Sequence, residues 1–273
     1  MIAPVVDVSW LTTHHEDVVL ADCRWYLDGR SGRRAYEEGH IPGAIFVDLE
    51  TWLSGEGGTE VGRHPLPSPS HFAQGMSELG IGDGATVVAY DDAGGVIAAR
   101  LVWMLRALGE NAALLNGGLQ SYKGALQKGS QSLDPANFST RLWPANRLAD
   151  IDEASDLRNV VIDARNRERY RGEADPVDPR PGHIPGAMNV PCRENLNTDG
   201  TFLPLEILRK RFEEAGVKEG EDIISYCGSG VTACHNLLTI ELVGLGQGRL
   251  FPGSWSQYSH AMDREVSTGS EPK

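Results

Sequence analysis

An internal duplication constrains the fold of this chain more than any other feature of its sequence. Matching blocks occur in the same order in both halves, and the matched positions are Asp22 and Asp163, His40 and His183, Tyr90 and Tyr226, and Gly117 and Gly253. Segments of unrelated origin would not keep both their order and their spacing. The chain is therefore predicted to contain two copies of one domain.

Within each copy, short apolar runs alternate with helical patterns. The runs lie at 18–21, 86–90 and 113–115, and again at 160–162, 223–226 and 249–251. Such runs are typical of strands buried on both faces of a parallel sheet. The alternation predicts an α/β fold with two tandem domains, each a parallel sheet flanked by helices. We place a non-catalytic domain at 1–130, a polar linker at 131–147 and a catalytic domain at 148–273.

Composition excludes several classes of protein. The chain has 273 residues, a formal net charge of −13 and a pI near 5.0, which disfavours nucleic acid and anionic membranes as partners. Its four cysteines show no CxxC spacing, so neither a metal nor a cofactor is predicted. No signal peptide and no run of about 18 apolar residues is evident, so a cytoplasmic protein with reduced thiols is expected.

The stretch ISYCGSGVTACHN places Cys227 at a strand end, before a glycine-rich turn and a helix that begins near Thr232. Glycines let the backbone curl so that its N–H groups point inward, and a helix start adds positive potential. These surroundings favour a thiolate, so Cys227 is the predicted nucleophile, cradled by the backbone of Gly228, Gly230 and Val231. A buried structural cysteine is the alternative, and it fits Cys234 better.

The first copy provides an internal comparison. Asp91 stands where the second copy has Cys227, and its loop is one residue longer. An acidic side chain at this position is expected to repel an anion. The second copy is therefore predicted to carry the chemistry, and the first to act as a scaffold.

The paired GHIPGA blocks, the strand-end aspartates and CGSGVTAC before a helix resemble the tandem-domain rhodanese sulfurtransferases, over about residues 5–262. The loop is similar to that of the 3-mercaptopyruvate sulfurtransferase branch. The resemblance implies that Cys227 takes sulfur from 3-mercaptopyruvate as a persulfide and passes it to a thiol acceptor such as thioredoxin, or to cyanide. Thiosulfate stays open as the donor, because bacterial proteins with this loop are also described as thiosulfate sulfurtransferases.

The stretch DARNRERYRGE contains four alternating arginines, which predicts an extended segment with all four on one side. Guanidinium groups bind carboxylates well, although a solvated charged segment is the alternative. The resemblance assigns donor binding to Arg169, and to Arg180 as a second arginine. It leaves Arg165 and Arg171 with structural roles.

The resemblance also implies a relay in which Ser229 acts with His64 and an acid, Glu50, for which Asp48 is the alternative. Thr232 is predicted to cap the helix through its hydroxyl and to shape the donor-binding loop. Trp255 is expected at the edge of the cleft or in the core. Further expectations are structural roles for His40 and His183, and structural or redox-sensitive roles for Cys23 and Cys192.

Three other classes of protein fit the sequence less well. A phosphatase needs an arginine six positions after its cysteine, where this chain has Ala233. A sulfur carrier or sensor of this fold would be expected to lack the cysteine, as the first copy does. A disulfide exchanger would need a resolving cysteine at CxxC spacing. The predicted function is therefore sulfur transfer.

Overall fold

The computed structural model describes residues 1–272 and divides into two compact units. The first comprises 1–55, 67–143 and 196–202, and the second comprises 56–66, 144–195 and the chain from 203 onward. Each unit is an α/β structure with one parallel sheet, which confirms the predicted fold class.

The first unit contains five strands and six helices. The strands are β1 (Val5–Val6), β2 (Val19–Asp22), β3 (Ile45–Phe46), β4 (Thr86–Tyr90) and β5 (Asn111–Leu115). The helices are α1 (Val8–His14), α2 (Gly32–Glu38), α3 (Leu49–Trp52), α4 (Pro69–Glu78), α5 (Ala99–Ala107) and α6 (Gly118–Ser121). A 3-10 turn covers His15–Asp17.

The second unit contains four strands and five helices. The strands are β6 (Val160–Asp163), β7 (Met188–Asn189), β8 (Ile223–Tyr226) and β9 (Arg249–Leu250). The helices are α7 (Ile151–Ser155), α8 (Arg167–Arg171), α9 (Leu205–Glu214), α10 (Ala233–Leu242) and α11 (Ser254–Tyr258). Two 3-10 turns cover Ala145–Arg147 and Cys192–Asn195.

The two sheets have the same strand order. The first runs β1-β5-β4-β2-β3, and the second runs β9-β8-β6-β7 with Leu148 bridging to Leu250 where β1 would pair. In both sheets the strand-end aspartate is in register with a tyrosine, Asp22 with Tyr90 and Asp163 with Tyr226. The duplication predicted from the sequence is thus present in the topology.

Each strand-end aspartate pairs with an arginine two residues later. In the second unit, Arg165 donates from Nη2 to Asp163 at 2.6 Å and to the Gly182 carbonyl at 2.7 Å. In the first unit, Arg24 makes the same bonds to Asp22 and Gly39. Because both copies keep this arrangement, it serves the fold and not the chemistry.

Most of the segment predicted as a linker packs against the first unit without forming helix or strand. Ala136 N donates to the Ser77 carbonyl at 2.9 Å, and Phe138 meets Phe72 edge to face at 5.7 Å. Its side chains therefore complete the apolar core beside α4. The domain boundaries at 130 and 148 themselves remain a prediction.

Candidate active site

Cys227 follows β8 directly, and only 2% of its surface is exposed. Its backbone N–H donates to Ser254 Oγ at 3.1 Å, and its carbonyl accepts from Trp255 N at 3.0 Å. The Gly228 carbonyl accepts from Ser256 N at 2.8 Å. All three partners belong to α11, so this short helix fixes the backbone that carries the thiol.

Sequence reasoning missed Ser254. Among residues 1–272 it is the one non-glycine residue with positive φ, at 50°. Its hydroxyl accepts from the Cys227 N–H and donates to the Phe251 carbonyl at 2.8 Å. The matching residue of the first copy, Gly118, has a φ of 55°, where glycine is unstrained. The glycine-to-serine difference between LLNGGLQSY and LFPGSWSQY was the available signal.

The loop after Cys227 presents its backbone N–H groups to one place. Within residues 1–272, the structure shows no acceptor for the N–H groups of Gly228, Ser229, Val231 and Thr232. Gly230 adopts a φ of 75°, which turns the chain into α10. Unpaired N–H groups beside a helix start are suited to hold an anion.

Thr232 precedes α10, but its hydroxyl does not cap the helix, so this part of the prediction is wrong. Its backbone is already helical, which carries the side chain away from the N–H groups of the first turn.

In the matching loop of the first copy, the backbone N–H groups surround the carboxylate of Asp91. The Asp91 carboxylate is fully buried and accepts four backbone N–H groups at 2.7–2.9 Å, those of Ala93, Gly95, Ile97 and Ala98. We expected this side chain to repel an anion. Instead it occupies the anion position itself, because four aligned N–H groups compensate its buried charge.

His64 and Ser229 meet as the relay prediction requires. His64 Nδ1 lies 2.8 Å from Ser229 Oγ, and both residues are half-buried. The segment that carries His64 is anchored by Arg63 N, which donates to Ser256 Oγ at 3.0 Å, and by Gln257 Nε2, which donates to the Glu60 carbonyl at 2.7 Å.

The acidic members of the predicted relay lie in the first unit. Glu50 accepts from the Trp25 indole N–H at 3.1 Å. Asp48 caps α3 by accepting from Thr51 N at 2.8 Å, so its carboxylate has a structural role. Participation of Glu50 in a relay remains a prediction.

The four clustered arginines do not share one side of an extended segment, so that prediction is wrong. Residues 167–171 form α8, and Arg165 lies before it. Arg165 and Arg169 both contact Asp175, whereas Arg167 and Arg171 have carboxylate partners of their own. Arg167 pairs with Glu194 on the surface at 2.7 Å, and Arg171 lies 3.6 Å from Glu173. Alternate spacing alone did not distinguish a strand from a single helical turn.

Arg169 is the arginine of this cluster that lies beside the cysteine loop. It donates to Asp175 at 3.1 Å and to Asp178 at 2.7 Å through Nη2. A Cβ placed on Gly228 would lie 3.2 Å from Arg169 Nη1 and 3.4 Å from Arg63 Nη2. Arg63 was not among the residues predicted from the sequence. The guanidinium groups of Arg63 and Arg169 thus lie beside Gly228, the residue that follows Cys227.

The guanidinium group of Arg180 binds backbone carbonyls near the end of α11. Its guanidinium donates at 2.7–2.9 Å to four backbone carbonyls, those of Tyr258, Ser259, Ala261 and Arg264. These carbonyls lie at and beyond the end of α11, which Arg180 therefore clamps. The geometry supports a structural role for Arg180 and not the predicted donor-binding role.

The repeated histidines, His40 and His183, each make local structural contacts with a tyrosine. His183 stacks on Tyr170 at 3.7 Å, and its Nδ1 lies 2.8 Å from the Tyr170 carbonyl. His40 stacks on Tyr36 in the same way at 4.0 Å. Trp255 is fully buried in the core of the second unit, and its indole donates to the Arg180 carbonyl at 3.0 Å.

The other cysteines lie in less favourable places for chemistry. Burial beside Asp22 raises the pKa of the Cys23 thiol well above its usual value. Burial raises the pKa of Cys192 to about 12. Both thiols therefore stay protonated at neutral pH, when a thiolate is the reactive form.

Two features are absent from the part of the chain that the structure describes. No cluster of three or more histidine, cysteine or acidic side chains could hold a metal ion. No helix has the length and apolar character needed to cross a membrane.

Comparison with known proteins identifies the family. The rhodanese-like domain model matches residues 7–125 and 145–261. Two bacterial relatives carry provisional names. One from Pseudomonas aeruginosa, named as a 3-mercaptopyruvate sulfurtransferase, is 42% identical over 93% of each chain. One from Mycobacterium tuberculosis, named as thiosulfate sulfurtransferase SseB, is 38% identical over 93% of this chain and 92% of the relative.

A solved structure agrees with these relatives. SseA from Escherichia coli, described as a 3-mercaptopyruvate sulfotransferase with the rhodanese fold, matches with a TM-score of 0.81. It is 32% identical in sequence, over 93% of this chain and 99% of that chain. The chain is a sulfurtransferase of the rhodanese-like family.

Proposed function

We propose that the chain transfers sulfur from 3-mercaptopyruvate to a thiol or cyanide acceptor through a persulfide on Cys227. The observation that carries the proposal is the loop after Cys227, where the N–H groups of Gly228, Ser229, Val231 and Thr232 have no acceptor within residues 1–272. The matching loop of the first copy holds a carboxylate with four such groups. A persulfide anion on Cys227 would be stabilised in the same manner.

In the first step, the Cys227 thiolate attacks the sulfur of mercaptopyruvate. An S–S bond forms, the C–S bond breaks, and its electron pair stays on the methylene carbon as the enolate of pyruvate. The proton of the donor thiol ends on the methyl group of pyruvate. Ser229 and His64, 2.8 Å apart beside the cysteine loop, are the groups that would move this proton.

In the second step, the acceptor removes the outer sulfur and regenerates the Cys227 thiolate. Cyanide would give thiocyanate, and a thiol such as that of thioredoxin would leave as a persulfide. All four cysteines of the chain are free, which suits a reducing compartment such as the cytoplasm.

Thiosulfate is the second candidate donor, favoured by the name of the M. tuberculosis relative. It would use the same thiolate attack, with sulfite as the leaving group. We favour mercaptopyruvate because two guanidinium groups beside Gly228 are suited to its carboxylate.

The first experiment is donor preference with cyanide as the acceptor and thiocyanate as the readout. Mercaptopyruvate is expected to exceed thiosulfate in kcat/KM by about tenfold or more. The Cys227→Ser variant is expected to lose activity by about a thousandfold or more, whereas Cys23→Ser keeps it. A preference for thiosulfate would overturn the donor assignment, and an active Cys227→Ser variant would overturn the mechanism.

A further inference from the structure

Arg63 and Arg169 converge on the cysteine loop from distant parts of the chain. A Cβ on Gly228 would lie 3.4 Å from Arg63 Nη2 and 3.2 Å from Arg169 Nη1. The side chain of Arg63 is 33% exposed and that of Arg169 is 22% exposed. A small ligand arriving from solvent beside Cys227 would therefore reach both guanidinium groups.

The two arginines are the last two cations in a row of alternating charges, and Arg63 ends the row. We call this row the charge ladder: Asp163, Arg165, Asp175, Arg169, Asp178 and Arg63. Its carboxylates are fully buried, and Arg165 is 1% exposed. Within residues 1–272, Arg165 and Arg169 each contact two ladder carboxylates, but Arg63 contacts Asp178 alone. The solvent-facing end of the ladder is thus a guanidinium with one carboxylate partner.

We infer that Arg63 binds the carboxylate of the sulfur donor, as the next anion of the charge ladder. This inference rests on the proposed function and assigns to Arg63 the role that the sequence assigned to Arg180. Arg169 would share the same carboxylate through Nη1, since its Nε and Nη2 atoms already donate to Asp175 and Asp178. Two guanidinium groups on one carboxylate would fix the donor's orientation.

Asp178 keeps both arginines in place before the donor arrives. It accepts from Arg169 Nη2 at 2.7 Å and from Arg63 Nη1, and its side chain is fully buried. Pre-oriented guanidinium groups lose little conformational freedom on binding. The site is therefore preorganised for an anion.

A purely structural role for Arg63 would give different results. Arg63 precedes His64, and its backbone N–H is bonded to Ser256 Oγ at 3.0 Å. Losing the Arg63–Asp178 pair would then displace His64 and slow every donor equally. The tests must therefore separate carboxylate binding from positioning of His64.

The first test measures binding of pyruvate, the carboxylate product, by isothermal titration calorimetry. Arg63→Gln is expected to weaken binding by roughly 10- to 100-fold, the effect of losing charge-assisted hydrogen bonds. Arg63→Lys is expected to fall between wild type and Arg63→Gln, because lysine keeps the charge but not the forked geometry. Arg167→Gln is the matched control, since Arg167 pairs with Glu194 on the surface.

The outcomes of the binding test are decisive in either direction. Weaker pyruvate binding by Arg63→Gln but not by Arg167→Gln supports the inference. Equal binding by wild type and Arg63→Gln overturns it, as does a wild-type protein that does not bind pyruvate. Because no sulfur is transferred, a protein that binds pyruvate through Arg63 but forms no persulfide would refute the proposed function alone.

The second test compares mercaptopyruvate with mercaptoacetone, in which a methyl group replaces the carboxylate. Arg63→Gln is expected to lower kcat/KM for mercaptopyruvate by roughly 10- to 100-fold and to change that for mercaptoacetone by less than about threefold. Parallel losses for both donors would mean that Arg63 only positions His64, and would overturn the inference.

Discussion

At the scale of single residues, Ser254 shows how a strained backbone supports the nucleophile. A non-glycine residue at a φ of 50° costs free energy, of the order of 1 kcal/mol or more. Its hydroxyl satisfies the buried N–H of Cys227, which would otherwise lack this partner. The first copy has no thiol to hold and places glycine at the matching position, Gly118.

Two substitutions at Ser254 separate strain from hydrogen bonding. Ser254→Ala removes the hydroxyl and keeps the strain, so it should lower the free energy of unfolding by about 1–3 kcal/mol. Ser254→Gly removes both and should be less destabilising than Ser254→Ala. Urea unfolding of the two variants beside wild type tests this order. Equal losses would show that the positive φ of Ser254 carries no cost.

At the scale of secondary-structure elements, β2, β4, β5, β6, β8 and β9 were predictable because burial leaves continuous apolar runs. The strands β1, β3 and β7, of two residues each, were not predicted. Strands β4 and β8 were predicted with their observed bounds. Residues 165–171 were not, because their arginines pair with Asp175, Asp178 and Glu194, which no periodicity in the sequence connects to them. Arg63 was missed because its partner in the charge ladder, Asp178, lies 115 positions later in the chain. Local patterns therefore located Cys227 and its loop, whereas Arg169 was indicated by the family resemblance and Arg63 by no pattern in the sequence.

The repeated turn around His183 predicts a pH dependence of stability. Burial lowers the pKa of His183 below its usual value, so the folded protein keeps a neutral imidazole stacked on Tyr170. When the pH falls below about 6.5, the unfolded chain binds the proton first, and stability decreases. The free energy of unfolding should fall by at most about 1.4 kcal/mol per pH unit from this residue.

The measurement is urea unfolding between pH 7.5 and about 5. The His183→Gln variant should show a shallower decrease than wild type. The contribution is complete above pH 6.5 and is lost as the pH drops toward the lowered pKa of His183. Identical slopes for wild type and His183→Gln would contradict this assignment.

At the scale of the whole molecule, duplication has kept the structural devices in both copies and the cysteine loop in one. Both copies retain the aspartate–arginine pair, the histidine stacked on tyrosine and the same strand order. Only the second copy has a cysteine directly after the strand that ends in the matched tyrosine, where Cys227 follows Tyr226. In the first, Asp91 fills the anion position, so a second ligand has no place to bind there.

This division predicts one transferable sulfur atom per chain. With excess donor and no acceptor, intact mass spectrometry should show a single added sulfur, located on Cys227 by peptide mapping. Cys23 lies near Asp91, but its raised pKa keeps the thiol protonated, so it should not be loaded. Cys192→Ser should still take one sulfur and Cys227→Ser none. Two sulfur atoms on the wild-type chain would show that a second thiol is reactive, and that the first copy is not chemically silent.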